Sequence, residues 1–145
     1  MIDIKRAIYP GSFNPIHEGH INIIKRASKL FNELYVLVAN NPNKKEESTL
    51  LSRYQNVLKK VSSLKLTNVK VAYNDKLTVD FAKKYKCKYI VRAIRNIKDY
   101  KYELNMAKIN KMLANSIETI IFIANKELKN VSSTKIKKLM RQIGE

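Results

Sequence analysis

Tyr9-Pro10-Gly11-Ser12-Phe13-Asn14-Pro15-Ile16-His17-Glu18-Gly19-His20 holds two of the three glycines, two of the three prolines and both histidines of a 145-residue chain. The apolar run before it, Ile4–Tyr9, predicts a strand, and the pattern after it predicts a helix from about Gly19 to Phe31. The stretch is therefore a strand-to-helix junction. Glycine there lets backbone approach a ligand closely, and a helix N-terminus attracts anions through its free N–H groups and its dipole. His17 and His20 stand three residues apart, so both can face one phosphate from one helical turn. Turn-shaping glycines and structurally bonded histidines are the plainer explanation, but two histidines at this junction favour the phosphate. A metal site ranks lower, because no cysteine or acidic partner stands nearby at ligand spacing.

Outward from this junction, strands and helices alternate. Strands are expected at Leu34–Ala39, Val69–Tyr73, Tyr89–Ile94 and Thr119–Ala124. Helices are expected at Thr49–Leu64, Val79–Lys86, Lys98–Ala114 and Ser132–Ile143. Five such units predict an α/β fold, a single Rossmann-like doubly wound domain over residues 1–145. Its five-stranded parallel sheet would carry helices on both faces. Ligands of such sheets bind beyond the carboxyl ends of the strands, where strand order reverses. The long helix at 98–114 has a second apolar side (Tyr102, Met106, Ile109, Leu113) besides Tyr100, Leu104 and Ala107, which fits either a subunit interface or broad packing of one deep-set helix.

Composition limits the possibilities. With 45% apolar residues the chain can bury a core unaided. The single cysteine, Cys87, excludes an internal disulfide and an all-cysteine zinc site, and fits a reducing compartment. Apolar runs such as Ile120 to Ala124 are too short for a membrane span, and the N-terminus has no signal-like block. A cytoplasmic protein with no membrane partner is expected. The net charge of +17 invites a nucleic-acid-binding module as a reading from another class. Yet Lys, Asn and Ile make 55 of the 145 residues, the usage that A/T-rich codons produce. The lysines also lie on several elements without a groove-reading motif, so no specific nucleic-acid partner is expected.

Three further clusters fall at the ends of strands or the starts of helices. Lys44, in Asn43-Lys44-Lys45, follows the second strand, where an ammonium can reach an anion in the crevice. Arg92-Ala93-Ile94-Arg95 leaves the fourth strand. Only six arginines stand among 23 lysines, so a pair here selects guanidinium, whose forked donors suit phosphate. Ion pairs of these arginines with Asp99 or Glu103 are the structural alternative and are compatible with ligand contact. Val131-Ser132-Ser133-Thr134 opens the last helix with hydroxyls and free N–H groups, as either a phosphate site or an ordinary cap.

The opening stretch resembles the (H/T)xGH motif of the nucleotidylyltransferase superfamily. Taken with the NPNKK loop, LTVDFAKK, VRAIRNIKDYKYELNMAKINKML and VSSTKIKKL, the chain is similar over nearly its whole length to the bacterial phosphopantetheine adenylyltransferases. That resemblance implies transfer of AMP from ATP to 4′-phosphopantetheine, giving dephospho-coenzyme A and pyrophosphate. It implies His20, Lys44 and Arg95 as catalytic residues. It places Ser12, Phe13, His17, His20, Ala93, Ile94, Arg95 and Glu103 around ATP, together with Leu128, Lys129, Asn130, Val131, Ser132, Ser133 and Thr134. It assigns Ser12, Lys44, Thr78 and Arg92 to phosphopantetheine. It further implies Mg²⁺ carried by the ATP phosphates, with no protein metal ligands, and a homohexamer. Asn14, His17 and Ala93 stand where the family usually has Asp, Thr and Gly. The first two are commoner among nicotinate- or nicotinamide-mononucleotide adenylyltransferases, which are the alternative reading.

Overall fold

The β-branched and aliphatic runs form five strands: β1 (Arg6–Gly11), β2 (Glu33–Ala39), β3 (Val69–Asn74), β4 (Tyr89–Ile94) and β5 (Glu118–Ile123). Between and after them run α1 (Glu18–Ser28), α2 (Leu50–Ser63), α3 (Thr78–Tyr85), α4 (Ile97–Leu113) and α5 (Ser133–Gln142). The computed structural model describes residues 3–40, 49–125 and 133–143. All the strand pairs are parallel, in the order β3-β2-β1-β4-β5, so strand order reverses between β1 and β4.

Alternation along each strand sorts the core into two clusters, one on each face of the sheet. Ala7 and Tyr9 of β1, Leu34, Val36 and Val38 of β2, and Val91 of β4 pack with Ile21, Ile23, Ile24 and Ala27 of α1 and Val57 and Val61 of α2. On the opposite face Ile8, Leu37 and Ile90 meet Val79, Phe81 and Ala82 of α3, with Cys87, Ala114 and Ile117. The doubly wound α/β expectation holds, with element boundaries within three residues of those read from the sequence.

α1 ends three residues sooner than expected, at Ser28, and β1 runs two residues further, through Pro10 and Gly11. Pairing with β2 continues to Gly11↔Val38. Pairing with β4 covers only Ala7↔Tyr89 and Ile8↔Ile90. Pro10 turns its carbonyl toward β4 and has no N–H to add to a ladder on that side. The sheet therefore splits at its carboxyl edge, along the line where strand order reverses. That split is the crevice.

Candidate active site

The crevice is lined from β1 by a graded series of rings. Tyr9 meets Phe13 edge-on at 5.6 Å between centroids, Phe13 meets His20 at 4.8 Å, and His20 lies against His17 at 3.8 Å with the planes 30° apart. Phe13 is buried (2% exposed), so its side chain belongs to the core and it offers the crevice its main chain. Burial pushes the Tyr9 hydroxyl up to about 12, so it stays a neutral phenol.

The histidines start α1 by capping each other's backbone. His17 Nδ1 accepts from the Gly19 N–H at 3.0 Å, and His20 Nδ1 accepts from the His17 N–H at 3.1 Å. This is a capping box built from imidazoles. With Nδ1 acting as acceptor, the neutral ring carries its proton on Nε2, so each histidine presents one N–H donor away from the helix. Burial, then the neighbouring His17, Arg92 and Arg95, push His20 down to about 4. His20 is thus a neutral donor at physiological pH. A Cβ at residue 19 would stand 2.9 Å from His17 Cε1, so a side chain there would displace the His17 ring.

On the other wall Arg92 forms a fork with Glu103 of α4, Nε to Oε2 at 2.8 Å and Nη2 to Oε1 at 2.7 Å. Its Nη1 donates to the Pro10 carbonyl at 2.5 Å and bridges the split in the sheet. Burial opposes the Arg92 charge, but the Glu103 bonds outweigh it and leave the guanidinium more basic than usual. Glu103, expected near ATP, is buried and committed to Arg92. Three of five guanidinium donors are used in these bonds, which leaves Nη1 and Nη2 one hydrogen each for an anion. Arg95 is exposed. Its main-chain N–H and Nε both donate to Asp99 Oδ2, at 3.0 and 3.1 Å, and Asn96 caps α4 by accepting from the Asp99 N–H. Ala93 is half-buried and packs against the core cluster on the α1 face, and Ile94 is half-buried at the end of β4.

The crevice therefore gathers His17, His20, Arg92 and Arg95 with the backbone of Ser12 and Phe13. Thr78 opens α3, the helix that follows β3 and packs on the sheet face opposite α1. Ser133 and Thr134 open α5. Lys44, Leu128, Lys129, Asn130, Val131 and Ser132 lie outside the described residues. Among the described residues no group of three or more His, Cys, Asp or Glu side chains is placed to hold a metal ion.

Arg53 of α2 escaped the sequence reading. It is buried (2% exposed), and its Nη1 donates to the Ser12 carbonyl at 2.7 Å and to the Ala39 carbonyl at 3.0 Å. Its Nη2 donates to Asn40 Oδ1. Arginine scarcity, the signal that exposed Arg92 and Arg95, applies equally to Arg53. It was hidden because Arg53 sits in the first turn of α2, outside the loop motifs.

Residues 8–139 match the cytidylyltransferase-like family model. A phosphopantetheine adenylyltransferase from Malacoplasma penetrans is 44% identical over 132 residues, covering 91% of this chain and 87% of that protein. The enzyme of the same name from Clostridium novyi is 43% identical, covering 92% and 82%. One from Nautilia profundicola is 39% identical, covering 97% and 90%. Among solved structures, a lipopolysaccharide core biosynthesis protein from Thermoplasma volcanium aligns with a TM-score of 0.58 at 23% identity, covering 84% of this chain and 97% of that one. A putative nicotinate-nucleotide adenylyltransferase from Vibrio parahaemolyticus aligns at 0.56 and 17%, covering 99% and 90%, and these two likenesses speak for the fold alone. With its crevice, its paired histidines and relatives of this closeness, the chain belongs to the cytidylyltransferase-like family and, within it, to the phosphopantetheine adenylyltransferases.

Proposed function

We propose that this chain transfers the adenylyl group of ATP to 4′-phosphopantetheine, forming dephospho-coenzyme A and pyrophosphate, a step of coenzyme A synthesis. The observation that carries this reading is the crevice itself. Two imidazoles and two guanidinium groups stand where the sheet splits, in a chain about 40% identical to enzymes of that name.

The acceptor's phosphate is already an anion at neutral pH, so no protein nucleophile or general base is needed. One of its oxygens attacks the α-phosphorus of ATP. The bond from that phosphorus to the bridging oxygen breaks, and its electron pair leaves with pyrophosphate. What the protein supplies is alignment and preorganised donors for the charge on the α-phosphoryl and departing oxygens. His20 offers Nε2–H to the transferring phosphate and Arg95 stabilises the leaving group. Arg92, held by Glu103 and Pro10, anchors the acceptor's phosphate together with Lys44. Ser12, Phe13, His17, Ala93, Ile94, Glu103 and the segment from Leu128 to Thr134 surround ATP, and Thr78 meets the pantetheine arm. Mg²⁺ is proposed as part of the substrate, carried on the ATP phosphates, because the crevice offers cations and imidazoles where a resident metal would need carboxylates.

The chain is proposed to act in the cytoplasm as a homohexamer, without a specific nucleic-acid or membrane partner. Self-association is supported by α4, whose Tyr100, Tyr102, Ile109 and Met112 are exposed and whose one fully buried side chain is Glu103. No helix among the described residues is long and apolar enough to cross a membrane. Asn14 and His17 favour a second reading, adenylyl transfer to nicotinate mononucleotide. Supplying ATP with each acceptor in turn and measuring pyrophosphate separates the two. Release with phosphopantetheine alone is expected, and release only with the mononucleotide would replace the first reading by the second.

A further inference from the structure

β1 and β2 stop pairing at Gly11↔Val38, and the next residues along each strand are Ser12 and Ala39. Their carbonyls would otherwise be orphaned at the end of the ladder. The Nη1 of Arg53 takes both, while Nη2 takes Asn40 Oδ1. In a planar trans peptide the carbonyl and the following N–H point in opposite directions. With the Ser12 carbonyl held toward α2, the Phe13 N–H is turned to the other side. Phe13 has a positive φ of 47°, a conformation that L residues other than glycine adopt at a cost. A strained peptide stays in place only where its surroundings over-determine it. Here the buried ring of Phe13 fixes one side and the Arg53 fork the other.

We propose that Arg53 is a positioning residue for the nucleotide: by clamping the Ser12 carbonyl it aims the Phe13 N–H into the crevice as a fixed phosphate donor. This rests on reading the crevice as an ATP site and adds a residue that touches no substrate. Guanidinium is needed because three acceptors spread over two strand ends require a fork, whereas a lysine ammonium is a single point charge.

The chain has four phenylalanines, so selective ¹⁵N-phenylalanine labelling gives four backbone amide signals, and Phe13→Leu assigns the one of interest. Titration with a non-hydrolysable ATP analogue should move the Phe13 amide in the wild-type protein. In Arg53→Met that response should be lost, and kcat/KM for ATP should fall by about 10–10²-fold, the scale of a misplaced contact. Arg53→Lys should give an intermediate response at near-wild-type thermal stability. Where Arg53→Met does not fold, Arg53→Lys decides alone. A purely stabilising role would lower Tm yet leave both the amide response and KM intact well below Tm, which would overturn the proposal. So would a wild-type Phe13 amide that ignores the analogue. A Phe13 amide that responds to ATP and depends on Arg53, in a protein inactive with phosphopantetheine, would support the clamp and overturn only the choice of acceptor.

Discussion

A capping box ordinarily pairs a Ser or Thr with a Glu or Gln three residues on. Here histidines fill both places, so one pair of side chains starts α1 and also supplies the donors of the crevice. His20 follows from this arrangement with a definite sign. Its native value is about 4 against an ordinary 6.5, so between those limits the unfolded chain binds a proton that the native chain refuses. Stability should therefore fall as pH drops from about 6.5 to about 4. Urea titrations across that window should show the loss, and His20→Gln should flatten it. Gly19→Ala tests the same corner by volume: the new methyl must displace the His17 ring, lose its cap and cost about 1 kcal/mol. Thermal melts of the alanine variant beside wild type measure this. The histidine spacing made the pair visible in the sequence. Their mutual capping was not, because it depends on ring rotamers that spacing does not specify. The Phe13 side chain likewise sits in the core, since a positive φ at that residue turns the ring inward.

Among the elements, β4 and α4 are joined by Arg92 and Glu103 more than by apolar packing. Glu103 is 5% exposed, so Glu103→Ala would leave the half-buried Arg92 guanidinium without its carboxylate. A loss of about 3 kcal/mol is expected, read by denaturant unfolding, with a raised KM for the acceptor as Arg92 gains freedom. Strand and helix boundaries were legible because apolar alternation and helical spacing seldom conflict in this chain. The end of β1 was one exception. Pro10 and Gly11 are read as loop by composition, but they extend the strand because β2 continues beside them while β4 does not. Arg53 was missed for a related reason: its acceptors are backbone carbonyls, which no side-chain motif announces.

At the scale of the whole molecule, the net charge of +17 and the apolar surface of α4 pull toward different partners. Lysines are spread over α2, α3 and α5, whereas Arg53, Arg92 and Arg95 are each held by specific hydrogen bonds. Tight duplex-DNA binding with a steep salt dependence would show that the total charge is itself functional; weak binding at physiological salt is expected. Tyr102→Glu with Met112→Glu on α4 should split the assembly, read as a drop in mass by light scattering, while an unchanged mass would move the interface elsewhere. The central claim, that preorganised donors in the β1–β4 split perform adenylyl transfer, has one direct measurement. It is the rate of pyrophosphate release from ATP and phosphopantetheine by wild type and by folded His20→Ala. A fall in turnover of about 10²–10³-fold is predicted, the scale of losing one preorganised donor. Equal rates in the two proteins would contradict the account.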